Sequence, residues 1–193
     1  MSQQEKLTLI TLEDDGVADL PDIADESLLA WREELFALAQ DRDKPIELRA
    51  AEILQTAGRT LSHHSWAEWA EIYLELERLE PSWTDRLLEL KETDLTGISL
   101  TDAMAWKPAL EQLLVYFLYR QTPLALDDGE YEGRAAFAVL SFAMIRRLLL
   151  VHFALHGSVV LADLIEIARQ YSAEIEYSDE NVEILLYRIQ EAL

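Results

Sequence analysis

The stretch RQYSAEIEYS, residues 169–178, carries Arg169, Tyr171, Glu174 and Tyr177. On a helix, offsets of three and four bring side chains to one face, so Glu174 can lie beside either tyrosine or reach Arg146 and Arg147 of the preceding helix. A carboxylate among aromatic hydroxyls and guanidinium groups can orient and desolvate an amine. The same groups can instead form a salt-bridged junction that fixes the register of a C-terminal helical hairpin, which is the reading the residues alone favour. Glu174 and Glu176 are two apart and point to different helix faces, which argues against a shared acid–base dyad.

Other chemistry is sparse. His152 and His156 are four apart, a spacing that can serve a metal, but the glutamate that would complete a zinc-protease motif beside the first is missing. A core or interface pair is the favoured reading. His63 and His64 are adjacent, so they diverge on a helix or sit in a capping loop. There is no glycine-rich phosphate loop, no nucleophile elbow and no dinucleotide fingerprint. The absence of cysteine removes thiol catalysis, disulfides and cysteine-ligated metal centres from these residues. No catalytic residue and no metal ligand is assigned.

The elements that must position these residues are helical. Of 193 residues, 50% are hydrophobic and 27% charged, with only 6 glycines and 5 prolines, the balance of a packed all-α protein. We expect a single-domain bundle of about seven or eight helices over residues 25–193, preceded by a short extended arm and acidic linker over 1–24, where KLTLITLE alternates like a strand. Ser65 and Glu68 form a capping box. Pro45 and Pro108 suit helix first turns, Pro81 breaks the pattern before SWTDRLLELKE begins again, and Ser178 suits an N-cap with Asp179 and Glu180 following. Loops are expected at TDLTGISLTD and QTPLALDDGEYEGR, and a helix stop at HGS after Leu155. The apolar run from Ala135 to Leu155 has the length of a membrane span, but Arg146 and Arg147 interrupt it, so we read a buried central helix whose arginines reach carboxylates or the rim.

Acids outnumber bases 37 to 16, a formal charge of -21, which repels phosphate backbones and anionic lipid. The expectation is a cytoplasmic protein with no nucleic-acid or membrane partner. The N-terminus is polar and acidic and does not read as a signal segment.

Three stretches, in order, resemble the C-terminal part of the bacterial flagellin lysine-N-methylase family: LLAWREELFALAQDRDKPIELRAAEIL, YLELERLEPSWTDRLLELKE, and the long run from LLVYFLYRQTPLALDD through RQYSAEIEYSDENVEILL. They cover most of residues 28–186. The last is the most specific, joining Tyr116, Phe117, Tyr119 and Arg120 to the later R-x-Y-S-x-E-I-E segment. The resemblance implies a bacterial protein connected with N-methylation of flagellin lysines, with S-adenosylmethionine as the methyl donor. It also implies a cysteine-rich N-terminal module, which these residues lack; two explanations fit, a naturally shortened relative that keeps the helical half, which is the preferred expectation, or a fragment that begins after that module.

The leading expectation is therefore a non-catalytic protein-interaction domain of flagellin-methylase type, whose partner is flagellin or another lysine-rich protein. Arg120, Arg146, Arg147, Arg169, Tyr171, Glu174 and Tyr177 are the candidate partner- or substrate-binding residues. Two alternatives stand beside it: an S-adenosylmethionine-dependent protein lysine methyltransferase, in which Glu174 or Tyr177 orients the amine, and an acidic helical chaperone or adaptor that covers a basic partner through an exposed apolar groove.

Overall fold

The computed structural model describes residues 26–98 and 106–191. Among them the chain forms eight α-helices and no strand: α1 (Glu26–Gln40), α2 (Ile46–Thr56), α3 (Trp66–Glu75), α4 (Pro81–Glu92), α5 (Lys107–Asp128), α6 (Tyr131–His156), α7 (Leu161–Tyr171) and α8 (Asp179–Gln190), with a π-helical turn, Ser172–Glu176, between the last two. The expected N-terminal arm, and the last four residues of the TDLTGISLTD loop, lie outside the described residues.

Local chemistry sets most helix starts. The Ser65 hydroxyl accepts the Glu68 N–H at 3.2 Å, and the Glu68 carboxylate accepts the Ser65 N–H at 2.6 Å, so two N–H groups at the start of α3 are satisfied reciprocally. Pro81 occupies the first turn of α4, where its missing N–H costs nothing. Gly157 ends α6 at φ +75°, a left-handed conformation that suits glycine.

The core is built around α6, which packs most extensively against α5. Fifteen residues of α6 are buried, from Gly133 to Val151, and 61% of its most apolar window lies inside the bundle. It is long and apolar enough to cross a membrane by length and composition, and here it is the core helix. Trp69, Tyr73, Trp83, Phe117 and Tyr171 are fully buried around it, and burial of such side chains from α3, α4, α5 and α7 supplies the main cohesive energy.

One expected loop is helix. QTPLALDD continues α5, and only Gly129 and Glu130 separate α5 from α6. Pro123 sits inside α5, where it removes one intrahelical bond. Leu118, Gln121, Thr122 and Ala125 are buried around that position, and their packing outweighs the proline penalty of about 3 kcal/mol. The helix ends at Gly129, φ +77°, whose N–H bonds the Ala125 carbonyl.

Candidate functional site

The residues that opened the sequence reading lie where α7 runs into the π-turn. The Tyr177 N–H bonds the Ser172 carbonyl at 3.0 Å, five residues back, which widens the helix by one residue. Ser178 then caps α8, its hydroxyl accepting the Asn181 N–H at 3.3 Å. Widened turns of this kind recur at functional sites. Within this turn two carboxylates two positions apart are both buried, against different neighbours.

Glu174 is 1% exposed. Its carboxylate accepts the Leu79 N–H at 2.7 Å and the Glu80 N–H at 2.8 Å, at the entrance to α4. The position also favours negative charge, because those amides open onto the first turn of α4. Asn181 completes the clamp: its amide donates to the carbonyls of Glu77 and Glu174 at 2.9 and 2.8 Å, and its side-chain oxygen accepts the Glu77 N–H at 3.1 Å. The α3–α4 connection is thus fastened to the C-terminal hairpin by backbone groups that would otherwise need water.

Glu176 turns to α5. One carboxylate oxygen accepts the Tyr116 hydroxyl at 2.7 Å and the Arg120 Nε–H at 2.9 Å; the other accepts the Ser172 hydroxyl at 2.8 Å. The carboxylate side chain is 1% exposed while Arg120 is 45% exposed, so a buried anion is capped by a cation that reaches solvent. Burial, then the Glu176 carboxylate, raises the Tyr116 pKa well above the ordinary tyrosine value. Tyr177, itself exposed, is close enough to Tyr116 and Arg120 to influence their titration.

Beside this cluster a groove of about 530 Å³ runs between the C-terminal half of α5, the start of α6 and α8. Leu124, Val182, Leu186 and Tyr187 give it an apolar lining, and Asp179 and Glu183 stand on its α8 side. Arg134, at its other end, is held by Asp128 at 2.6 Å and by Gln121 at 3.0 Å.

The other candidates disperse. Tyr171 is a core residue: its hydroxyl donates to Ser141 Oγ at 2.9 Å, Ser141 donates to the Phe137 carbonyl at 2.8 Å, and Tyr73 lies at 3.2 Å as the remaining donor. Arg169 is exposed and pairs with Glu166 at 2.8 Å and Glu80 at 3.8 Å. Arg146 pairs with Glu47 of α2. Arg147 lies over the Trp66 ring, 5.7 Å from its centroid, and its pKa is lowered by burial and by Arg146. Neither arginine meets Glu174, and Glu174 bonds to backbone amides rather than to the tyrosines, so the single network expected from helical offsets is replaced by separate contacts. The offsets describe an unbroken α-helix, and the π-turn changes them.

Glu176, Ser172 and Tyr116 are the site residues the sequence reading did not select. Ser172 and Glu176 at a spacing of four, facing Tyr116 and Arg120 at the same spacing, were the available signal. His152 and His156 do share a face, with ring centroids 4.3 Å apart, and His152 Nε2 is 3.6 Å from Asp163. Burial lowers the His152 pKa. Among the described residues no group of three or more ligating side chains could hold a metal ion.

Residues 99–193 match the family model described as the FliB lysine N-methylase C-terminal domain. No curated protein and no solved structure matches the chain. The first two stretches of the resemblance precede the matched residues, whereas the π-turn, the Glu176 cluster and the groove all fall within them. Over its C-terminal half, therefore, this chain is similar to the C-terminal domain of the FliB lysine N-methylases, the flagellin-methylase resemblance carried by its sequence.

Proposed function

We propose that this chain is a non-catalytic protein-interaction domain of the flagellin lysine N-methylase type, acting in a bacterial cytoplasm on flagellin or another lysine-presenting protein. The observation that carries the reading is the commitment of Glu174, the junction's carboxylate candidate for orienting an amine, to the fold, which leaves Tyr177 exposed without it. Glu174 is occupied by two backbone amides and Tyr171 is enclosed in the core. Neither has a free face for an incoming amine, so the orienting role imagined for Glu174 in a methyltransferase has no support. What the chain offers to solvent is acidic surface, with a formal charge of -21. A lysine-rich surface is complementary to it, and nucleic acid or anionic lipid is not.

Calorimetric titration of the purified chain with S-adenosylmethionine, and then with flagellin, tests this. Flagellin binding that weakens as salt rises, without donor binding, is the expected result. Donor binding together with methyl transfer to flagellin by this chain alone would overturn the non-catalytic reading.

A second reading, an acidic helical chaperone or adaptor, is favoured by one feature. Leu155, Val160, Leu161 and Ile165, around the turn from α6 to α7, are each about half exposed. A chaperone using that corner would hold flagellin through apolar contact and would keep its affinity at high salt.

A further inference from the structure

We propose that the groove between α5 and α8 is a lysine cleft, in which a partner's lysine lays its methylene stem along the apolar lining and sets its ammonium against Asp179 and Glu183. This rests on the protein-interaction reading above and names the surface and the chemical group that surface would take.

The charge pattern inside the groove decides where a cation goes. Glu176 is already neutralised by Arg120 at 2.9 Å, and Asp128 by Arg134 at 2.6 Å. Glu130 keeps its charge at the α6 end of the groove, with one carboxylate oxygen occupied by the Gln190 amide. Asp179 and Glu183 are exposed, one helical turn apart on α8, and carry no ion pair or side-chain hydrogen bond among the described residues. They leave the groove with uncompensated negative charge on one wall. The Arg120–Glu176 and Arg134–Asp128 pairs on the opposite side offer a cation no net attraction, so the potential points an ammonium toward α8.

The rest of the groove suits the stem of the same side chain. Leu124 on α5 is 39% exposed and Tyr187 on α8 is 58% exposed, with Val182 and Leu186 beneath them. Lysine combines a four-carbon apolar stem with a compact charge, and gains most where a short apolar strip ends in carboxylates. The Tyr187 ring adds a face that attracts an ammonium. Methylation keeps the lysine charge and acetylation removes it. The cleft therefore accepts lysine and N-methyl-lysine alike and rejects acetyl-lysine, so it holds substrate and product of a lysine methylation without distinguishing them.

The test uses the full chain, isotope-labelled for NMR, titrated with a short alanine–glutamine–lysine peptide in three forms: unmodified, N-methylated on lysine, and acetylated on lysine. The first two are expected to shift the amides around Asp179, Glu183 and Tyr187 on α8 and around Leu124 on α5, and the third is expected to leave them in place. The double variant Asp179→Asn/Glu183→Gln, at two exposed positions, is expected to lower affinity for the lysine peptide by about tenfold. No peptide binding, equal binding of the acetylated form, shifts spread evenly over the acidic surface, or unchanged affinity of a folded double variant would each overturn the cleft. Flagellin titrated in parallel separates the two levels. Flagellin shifts that map elsewhere remove the cleft and leave the interaction reading standing; peptide in the groove with no response to flagellin does the reverse.

Discussion

Glu174 and Glu176 sit two residues apart on one π-turn, both buried, yet they belong to different kinds of region. On the α4 side, Glu174 and Asn181 bond almost entirely to backbone, and every partner is part of a chain connection. On the α5 side, Glu176 bonds to three side chains, one of which is 45% exposed, and the cluster opens beside a groove. The first arrangement has nothing left to offer a ligand. The second can change partners without unfolding the chain, because Arg120 can turn to water. Burial of a carboxylate therefore does not identify a binding site; the mobility and exposure of what satisfies it do.

The largest expected effect breaks the α4 side. Glu174→Ala leaves the Leu79 and Glu80 N–H groups without their acceptor and empties a buried position. We expect a loss of about 3 kcal/mol, or a fall in Tm of roughly 6–12 °C for a chain of this size. Thermal unfolding followed by circular dichroism measures it. A Tm within a degree or two of the parent would mean that the α3–α4 connection is not held by this clamp.

Alkaline pH comes next and separates core from groove. Burial raises the pKa values of Tyr73 and Tyr171 above the ordinary value near 10. The folded state therefore retains protons that the unfolded state gives up. The stability due to these groups is fully present below pH 10 and is lost as pH rises toward their folded values, at about 1.4 kcal/mol per pH unit for each. Tyr116 follows the same direction, but Glu176 contributes to its shift as well as burial does. In Glu176→Gln the Tyr116 ionisation should move down more than that of Tyr171, read by ultraviolet titration of the variant against the parent. Equal movement of the two would mean that Glu176 is no more coupled to the groove than to the core.

The same substitution has a smaller effect on stability. The amide oxygen that replaces one carboxylate oxygen keeps an acceptor for Tyr116, the new NH2 can donate to a Ser172 hydroxyl that turns to accept it, and Arg120 is free to solvate, so Glu176→Gln should cost roughly 1 kcal/mol. A loss as large as that of Glu174→Ala would erase the difference between the two sides.

Much of the fold was legible because its punctuation is local. The Ser65–Glu68 box, Gly157 and the Ser178 cap each act within one turn, and each is where the sequence placed it, while Pro81, read as a break before the next helix, is that helix's first residue. Pro123 was misleading for the same reason in reverse: its local meaning is a break, and the burial of Gln121, Thr122 and Ala125 overrides it. The site was less legible. The divergence of Glu174 and Glu176 follows from their spacing, but the partners of Glu174 lie about 95 positions away at the α3–α4 connection, and no local pattern names them. The π-turn inserts a residue into the helical count, so the offsets from Arg169 and Tyr171 do not carry across it to Glu174 and Tyr177, although Ser172 and Glu176 within it still meet at a spacing of four. Arg120 was found through the family resemblance, and its true partner only through the fold.

The smallest expected effect concerns Arg169, which the sequence placed at the centre of the junction. Its guanidinium lies at the surface, 52% exposed, against Glu166 and Glu80, which are about half exposed. Its pKa is raised, first by the hydrogen bond to Glu166 and then by that residue's charge, yet solvent screening leaves such a pair with little influence on folding. Arg169→Ala should leave Tm unchanged and, on the proposed interaction reading, flagellin affinity unchanged or slightly higher, since it removes a positive charge from a surface proposed to face lysines. Calorimetry with flagellin in matched salt reads the outcome. Weaker binding by a variant that unfolds at the parental temperature would move the contact surface from the α5–α8 groove to α7, and Tyr177 with the exposed edge of the π-turn would then become the region to dissect.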